Sequence, residues 1–238
     1  MKHLIKFLLP FIVLLSSCRL HTDIVYLQNV SKDMAVKIDN YAAVKIQPQD
    51  ELSIAVYSKV PELAFPFNLN QANYHGDMEI SVIISQQRNT IGYIVDKNGE
   101  IDFPTFGKIQ VAGLTREELS EFIKNKLITE NYINDPIVMI QFLNFRIFVA
   151  GEVANPGMYE ITNDRITLLE ALAMAGDLTI HGKRDNVKII REESGERKIY
   201  IVDLRTADLF NSLAYYLQQN DYIYVEFNHQ KIKHANRK

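Results

Sequence analysis

One cysteine, Cys18, stands in 238 residues, and tryptophan is missing altogether. A lone thiol cannot close an intramolecular disulfide, so a small fold held together by disulfides is excluded. Long apolar runs are scarce too. The longest, Phe7 to Leu15, has nine residues and is interrupted by Pro10, well short of the ~20 a helix needs to cross a bilayer. Positive charge is also in short supply: 26 Lys and Arg face 29 Asp and Glu, for a formal net charge of −3, and the six His are scattered. A nucleic-acid binder would show a basic patch or stripe, so none is expected as a partner. Metal-ligand spacings, a nucleophile elbow and a phosphate-cradling glycine loop do not occur. The expectation is a protein without metal or cofactor that is not an enzyme.

What is present reads as an ordinary globular chain, 47% hydrophobic and 23% charged. Twelve Tyr and twelve Phe suit a strand-rich core. The N-terminus is different. Lys2 and Lys6 precede the Phe7–Leu15 run, and Leu15-Ser16-Ser17 leads into Cys18. This is a secretory signal, expected over residues 1–17. Leu-Ser-Ser-Cys resembles the bacterial lipoprotein processing box, which implies acylation of Cys18 and a membrane anchor; the alternative is a plain signal with a chance cysteine. Acyl chains contribute ~0.8 kcal/mol per buried methylene, so several of them hold a protein firmly. Arg19 rather than Asp follows Cys18, which by the lipoprotein sorting rule implies the outer membrane. Without residues 1–17 the formal charge becomes −5.

Residues 18–43 read as a tether, with a short strand at Asp23–Leu27. Ile46-Gln-Pro-Gln-Asp50 is a turn before a strand over Glu51–Ser58, where Leu52, Ile54 and Val56 alternate with Ser53 and Ala55. Residues 59–88, rich in Asn, Gln, Ser and Pro, form an excursion with room for one short element. Ile91–Val95 and Glu100–Phe103 flank Asp96-Lys97-Asn98-Gly99, a hairpin turn because Asn-Gly tolerates positive φ. Lys108–Val111 is a further strand. Thr115 opens a helix as N-cap, with Glu118 reaching back and Leu114 stapling onto Leu119. Leu119, Phe122, Ile123 and Leu127 are expected on its buried face. Ile137–Phe142 and Arg146–Ala150 read as strands. The pattern then restarts. Asn155-Pro156-Gly157 suits a type II turn with positive φ at Gly157. Thr167-Leu-Leu-Glu170 repeats the capping box, and Leu168–Ala175 is a helix closed by Gly176. Val187–Arg191 and Lys198–Leu204 form a hairpin, and Asn220-Asp221 introduces a strand over Tyr222–Glu226, echoing Gln49-Asp50. The fold class is α+β, with two units in series.

Placed in this order, residues 45–226 resemble the polysaccharide export lipoproteins that carry capsule or exopolysaccharide across the Gram-negative envelope. Gln49-Asp50-Glu51-Leu52, Tyr93–Pro104, and Gly107-Lys108 through Ala112-Gly113-Leu114-Thr115 match the polysaccharide-export domain, expected over 44–143. Val149-Ala-Gly-Glu-Val-Ala-Asn-Pro-Gly157, Tyr159, the Leu168–Gly176 helix and Asp221-Tyr-Ile-Tyr-Val225 match one β-grasp soluble-ligand-binding (SLBB) domain, expected over 144–227. Gln49 stands where the family has Gly in Pro-Gly-Asp. Well-known members carry a second such module and a C-terminal amphipathic helix that, in eight copies, builds an outer-membrane barrel. Here residues 228–238 form a short basic tail with few apolar side chains, so the expectation is the periplasmic part of an export conduit. The resemblance implies a homo-oligomeric ring, an octamer by analogy. It also implies an inner-membrane polysaccharide co-polymerase, often a tyrosine autokinase, as partner, polysaccharide as substrate, and an outer-membrane, mostly periplasmic location.

Two rivals come from other classes. Asp96, Glu100 and Asp102 mimic a glycosidase carboxylate pair, and His181-Gly-Lys-Arg184 mimics a phosphate site; scaffolding carboxylates and a charged surface loop are the plainer readings. Tyr215, Tyr216, Tyr222 and Tyr224 offer faces for sugar stacking in a lipid-anchored glycan binder acting alone, although Tyr at strand spacing more often packs.

Overall fold

The computed structural model describes residues 24–37, 43–68, 92–163, 165–193 and 195–228. The signal, Cys18, the excursion beyond Asn68 and the tail from His229 lie outside the described residues. In chain order the elements are β1 (Glu51–Tyr57), α1 (Pro61–Ala64), β2 (Tyr93–Ile94), β3 (Glu100–Phe103), β4 (Gly107–Gln110), α2 (Arg116–Thr129) and β5 (Ile137–Phe142). Then follow β6 (Arg146–Gly151), β7 (Gly157–Glu160), α3 (Leu168–Met174), β8 (Gly182–Glu193), β9 (Glu196–Val202) and β10 (Tyr222–Phe227). The class is α+β.

The first unit is a three-stranded antiparallel sheet, β2-β1-β5, with a separate β3–β4 hairpin and α2 packed against it. Alternation sorts β1 cleanly: Leu52, Ile54 and Val56 are buried, and their neighbours face out. Helix α2 starts as its sequence dictates. The Glu118 amide donates to Thr115 Oγ1 (3.1 Å) and the Thr115 amide to Glu118 Oε2 (2.8 Å), satisfying two otherwise orphaned donors. Leu119, Ile123 and Leu127 are fully buried, and Leu114 packs at the edge of the same cluster. Phe122 departs from expectation at 43% exposure. The sheet below is narrow, so one i, i+4, i+8 ridge suffices to cover it and the flanking position meets solvent. Ser120 Oγ donates to the Val138 carbonyl at 2.8 Å, closing one group on the free edge of β5.

The expected hairpin is only half right. The Asp96–Gly99 turn forms, with the Gly99 amide donating to the Asp96 carbonyl at 2.9 Å. The strands beside it then part company. β2 pairs with β1, while β3 pairs with β4 around Pro104-Thr105-Phe106, where Thr105 has φ 69°. Burial decides the choice: Tyr93 and Val95 enter the core beside Leu52, and Tyr93 stacks on Phe103 at 5.6 Å.

The second unit is a five-stranded mixed sheet in the order β7-β6-β10-β8-β9, with β6 and β10 parallel and every other pair antiparallel. Counted within the unit the order is 2-1-5-3-4, the β-grasp arrangement the resemblance implies. Gly151 lets the two central strands meet. It has φ +91°, and a Cβ there would sit 2.0 Å from the Val225 carbonyl oxygen. The second capping box is complete, with Glu170 N to Thr167 Oγ1 at 3.2 Å and Thr167 N to Glu170 Oε2 at 2.7 Å. α3 ends in a Schellman motif: Asp177 N donates to Leu172 O (2.8 Å) and Gly176 N to Ala173 O (3.0 Å), with Gly176 at φ 74°.

Three further expectations change here. Gly157 does not take positive φ; it opens β7 opposite Val149, so sheet pairing overrides the turn preference of Pro-Gly. β8 begins at Gly182, so Lys183 and Arg184 belong to a strand rather than a surface loop. The described residues of Asp23–Leu27, from Ile24 on, form no strand. Instead Leu27, at φ 51°, and Gln28 donate to the carbonyls of Leu204 (3.1 Å) and Arg205 (2.6 Å), strapping the N-terminal segment onto the second unit.

Candidate functional site

Two matching turns face each other where the units join. In Gln47-Pro48-Gln49-Asp50 the Asp50 amide donates to the Gln47 carbonyl (3.1 Å) and the Gln47 amide to Asp50 Oδ2 (2.8 Å), with Gln49 at φ 73°. In Gln218-Gln219-Asn220-Asp221 the corresponding distances are 3.2 and 2.8 Å, with Asn220 at φ 62°. Each turn aims a buried aspartate inward: Asp50 is 1% and Asp221 0% exposed. Their electrostatics differ. Asp221 receives Arg191 Nε and Nη2 at 2.9 and 2.7 Å. Burial works against charge on Arg191, and the Asp221 carboxylate more than reverses it, holding the guanidinium firmly protonated. Asp50 has no cation, and its Oδ1 has no hydrogen-bond partner among the described residues. Burial pushes its carboxyl up to about 6, against the pull of the Gln47 amide and the Gln219 side chain.

Asn144 and Gln219 tie the turns together. The Glu51 amide donates to Asn144 Oδ1 (3.0 Å) and Asn144 Nδ2 to the Gln49 carbonyl (3.0 Å). Gln219 Nε2 donates to the Asn144 carbonyl (2.9 Å), and Gln219 Oε1 accepts from the Arg146 amide (2.8 Å). The Lys45 amide reaches Gln218 Oε1 at 3.2 Å. Apolar contacts reinforce this. Val44 belongs to the second core and Ile46 to the first, and Phe142 and Phe145 lie 6.0 Å apart across the junction. None of these partners is evident in the sequence; the repeated Asn/Gln-Asp before a strand was its one visible trace.

The rival sites take on structural work. Asp96 Oδ1 accepts the Asn98 and Glu100 amides at 2.8 and 2.9 Å, and the Glu100 amide leads the contacts that hold its carboxyl below the ordinary range. Glu100 pairs with Lys108 at 3.8 Å, on the solvated face it shares with Asp102. Arg184 is buried and donates to the carbonyls of Thr179, Gly182 and Leu178; Lys183 pairs with Glu226 at 3.0 Å. The cations of the suspected phosphate loop are therefore spoken for. Tyr215 and Tyr216 pack edge-to-face at 5.2 Å, whereas Tyr222 points outward, 40% exposed. Among the described residues, no cluster of three or more His, Cys, Asp or Glu is placed to hold a metal. None of their helices is long and apolar enough to cross a membrane.

What this architecture defines is a pair of α+β modules in series, the second a β-grasp, joined by a buried polar seam and presenting open sheet faces. Residues 39–143 match the family described as polysaccharide biosynthesis/export protein, and residues 145–225 match the SLBB domain. The chain belongs to the polysaccharide export family, with the SLBB domain following the export domain. Among its relatives is the EPS I polysaccharide export outer membrane protein EpsA of Ralstonia solanacearum, 34% identical over 151 residues, which cover 62% of this chain and 38% of that one. Another is the polysialic acid transport protein KpsD of Escherichia coli, 32% identical over 85 residues, 34% of this chain and 15% of that one. The matched stretch thus spans well under half the length of these relatives.

Proposed function

We propose that this protein is a lipid-anchored component of an envelope conduit that exports capsular polysaccharide or exopolysaccharide across the periplasm and outer membrane. The supporting observation is the succession of export and SLBB modules, shared with relatives whose names denote polysaccharide export and transport. Cys18 carries the acyl anchor and holds the modules, residues 44–143 and 144–227, at the periplasmic side of the outer membrane. Copies close into a ring through head-to-tail contacts, and an inner-membrane co-polymerase meets the ring from below. A hydrated glycan loses water at a cost, so the passage needs polar walls rather than apolar ones. The work is guidance of a polymer, not bond-making.

Deletion followed by complementation tests this. Without the gene, polymer is expected to accumulate inside the envelope while its synthesis continues; the wild-type chain restores surface polysaccharide. A Cys18→Ala chain is expected to lose fatty-acid labelling and membrane retention. Normal surface polysaccharide in the deletion strain would sink the export reading, and unchanged labelling of the alanine chain would sink the anchor.

A further inference from the structure

Helix α3 covers one face of the five-stranded sheet. On the opposite face the strand registers line side chains up in rows. Met158 stands opposite Phe148, Phe148 beside Tyr222, Tyr222 opposite Ile190, and Ile190 opposite Ile199. One apolar row therefore crosses all five strands, about 20 Å at the usual ~4.8 Å strand spacing. Met158, Tyr222 and Ile199 are 49%, 40% and 61% exposed, and the Phe148 and Tyr222 rings stack at 6.4 Å. An apolar stripe of this extent on an open sheet face marks an interaction surface.

The row two residues further along the strands says what kind of partner fits. From β7 to β9 it reads Glu160, Arg146, Asn220, Glu192, Arg197. Glu160 is paired with Arg146 and Glu192 with Arg197 across their strands, and Arg146 Nε reaches Asn220 Oδ1 at 3.3 Å. All five are exposed. The signs run minus, plus, neutral, minus, plus. Reversed end for end, this sequence places every charge opposite its inverse: Glu160 meets Arg197, and Arg146 meets Glu192. The apolar row reverses equally well, setting Met158 on Ile199, Phe148 on Ile190 and Tyr222 on Tyr222.

We propose that this face seats the same face of a second copy of the chain, about a two-fold axis running along β10. A self-inverse charge pattern is what an isologous contact requires, and aligned sheet faces pack about 10 Å apart with strands within about 30° of each other. Rotation about such an axis leaves height along it unchanged, so both N-terminal segments lie at one level and a single membrane can hold both anchors. This contact differs from the head-to-tail closure of a ring, and it does not depend on the export reading, which deletion tests separately.

Thiol cross-linking in native membranes tests the contact with the full chain, with a linker because faces about 10 Å apart hold opposed Cα atoms beyond the ~7 Å a disulfide spans. Tyr222→Cys is expected to give a covalent dimer with a short bis-maleimide, at least tenfold above both the wild type, whose one cysteine is Cys18, and Ile94→Cys, an exposed position on the first sheet. In the Tyr222→Cys background, Glu160→Arg or Arg197→Glu alone is expected to cut the yield at least fivefold, and the two together to restore it. A yield at 222 no higher than at 94 would overturn the proposal, as would a double reversal that fails to rescue, whether or not the face then takes up glycan.

Discussion

Asp50 and Asp221 are the same residue in the same turn, one with a counter-charge and one without, and their difference has a measurable consequence. The Asp50 carboxyl is raised from 3.8 to about 6 by burial. Between those values the folded protein binds a proton that the unfolded chain does not, so this group's contribution to stability rises as pH falls from about 6 towards 4. Above about pH 6 the buried charge is a standing penalty. Asp50→Asn keeps an oxygen for the Gln47 amide and removes the titration. The variant is expected to gain on the order of 1–3 kcal/mol at pH 7.5 and little at pH 4. Urea unfolding at the two pH values checks this; equal effects at both would contradict it. The neighbouring Gln49 shows a limit of reading composition. It stands where the family has Gly, yet it adopts φ 73°, so the turn survives at a cost of about 1 kcal/mol in backbone strain.

Elements whose signals are local were legible in the sequence. Thr115 and Thr167 cap their helices with Glu118 and Glu170 as the spacing demands, and Gly176 closes α3, because each signal involves groups within four residues. Thr115→Ala and Thr167→Ala are each expected to cost about 1 kcal/mol. They lie in different modules, so the double variant should lose the sum within about 0.5 kcal/mol. Denaturant midpoints of the two singles and the double provide the check; a negligible loss at either site would mean that the cap geometry contributes nothing. What misled was choice of partner. Asp96–Gly99 specifies a reversal but not which strand β2 joins, and Pro156-Gly157 specifies a turn only while no sheet claims Gly157. Both outcomes are settled by contacts far away in sequence, of which periodicity carries no record.

At the scale of the molecule, the order of the two units could be read directly, but their seam could not, since its bonds join residues as far apart as Lys45 and Gln218, 173 positions along the chain. The seam is where the two cores meet. The Asn144 side chain accepts from the Glu51 amide and donates to the Gln49 carbonyl, joining the second module to the first. Asn144→Ala therefore removes an acceptor and a donor at once, at about 0.5–1.5 kcal/mol for each hydrogen bond lost. Those losses fall on the contact between modules rather than inside either core, because the apolar clusters around Leu119 and Leu172 do not include the residue. The expected result is a calorimetric profile that separates from one transition into two, with each module keeping its own unfolding enthalpy. In the proposed conduit, a wall of repeated copies needs its modules held at a fixed angle, since small errors add up around a closed assembly. The same variant is thus expected to export polymer poorly while each module stays folded. One sharp transition, merely shifted downward, would show that the cores couple through Phe142 and Phe145 and that the polar seam is incidental.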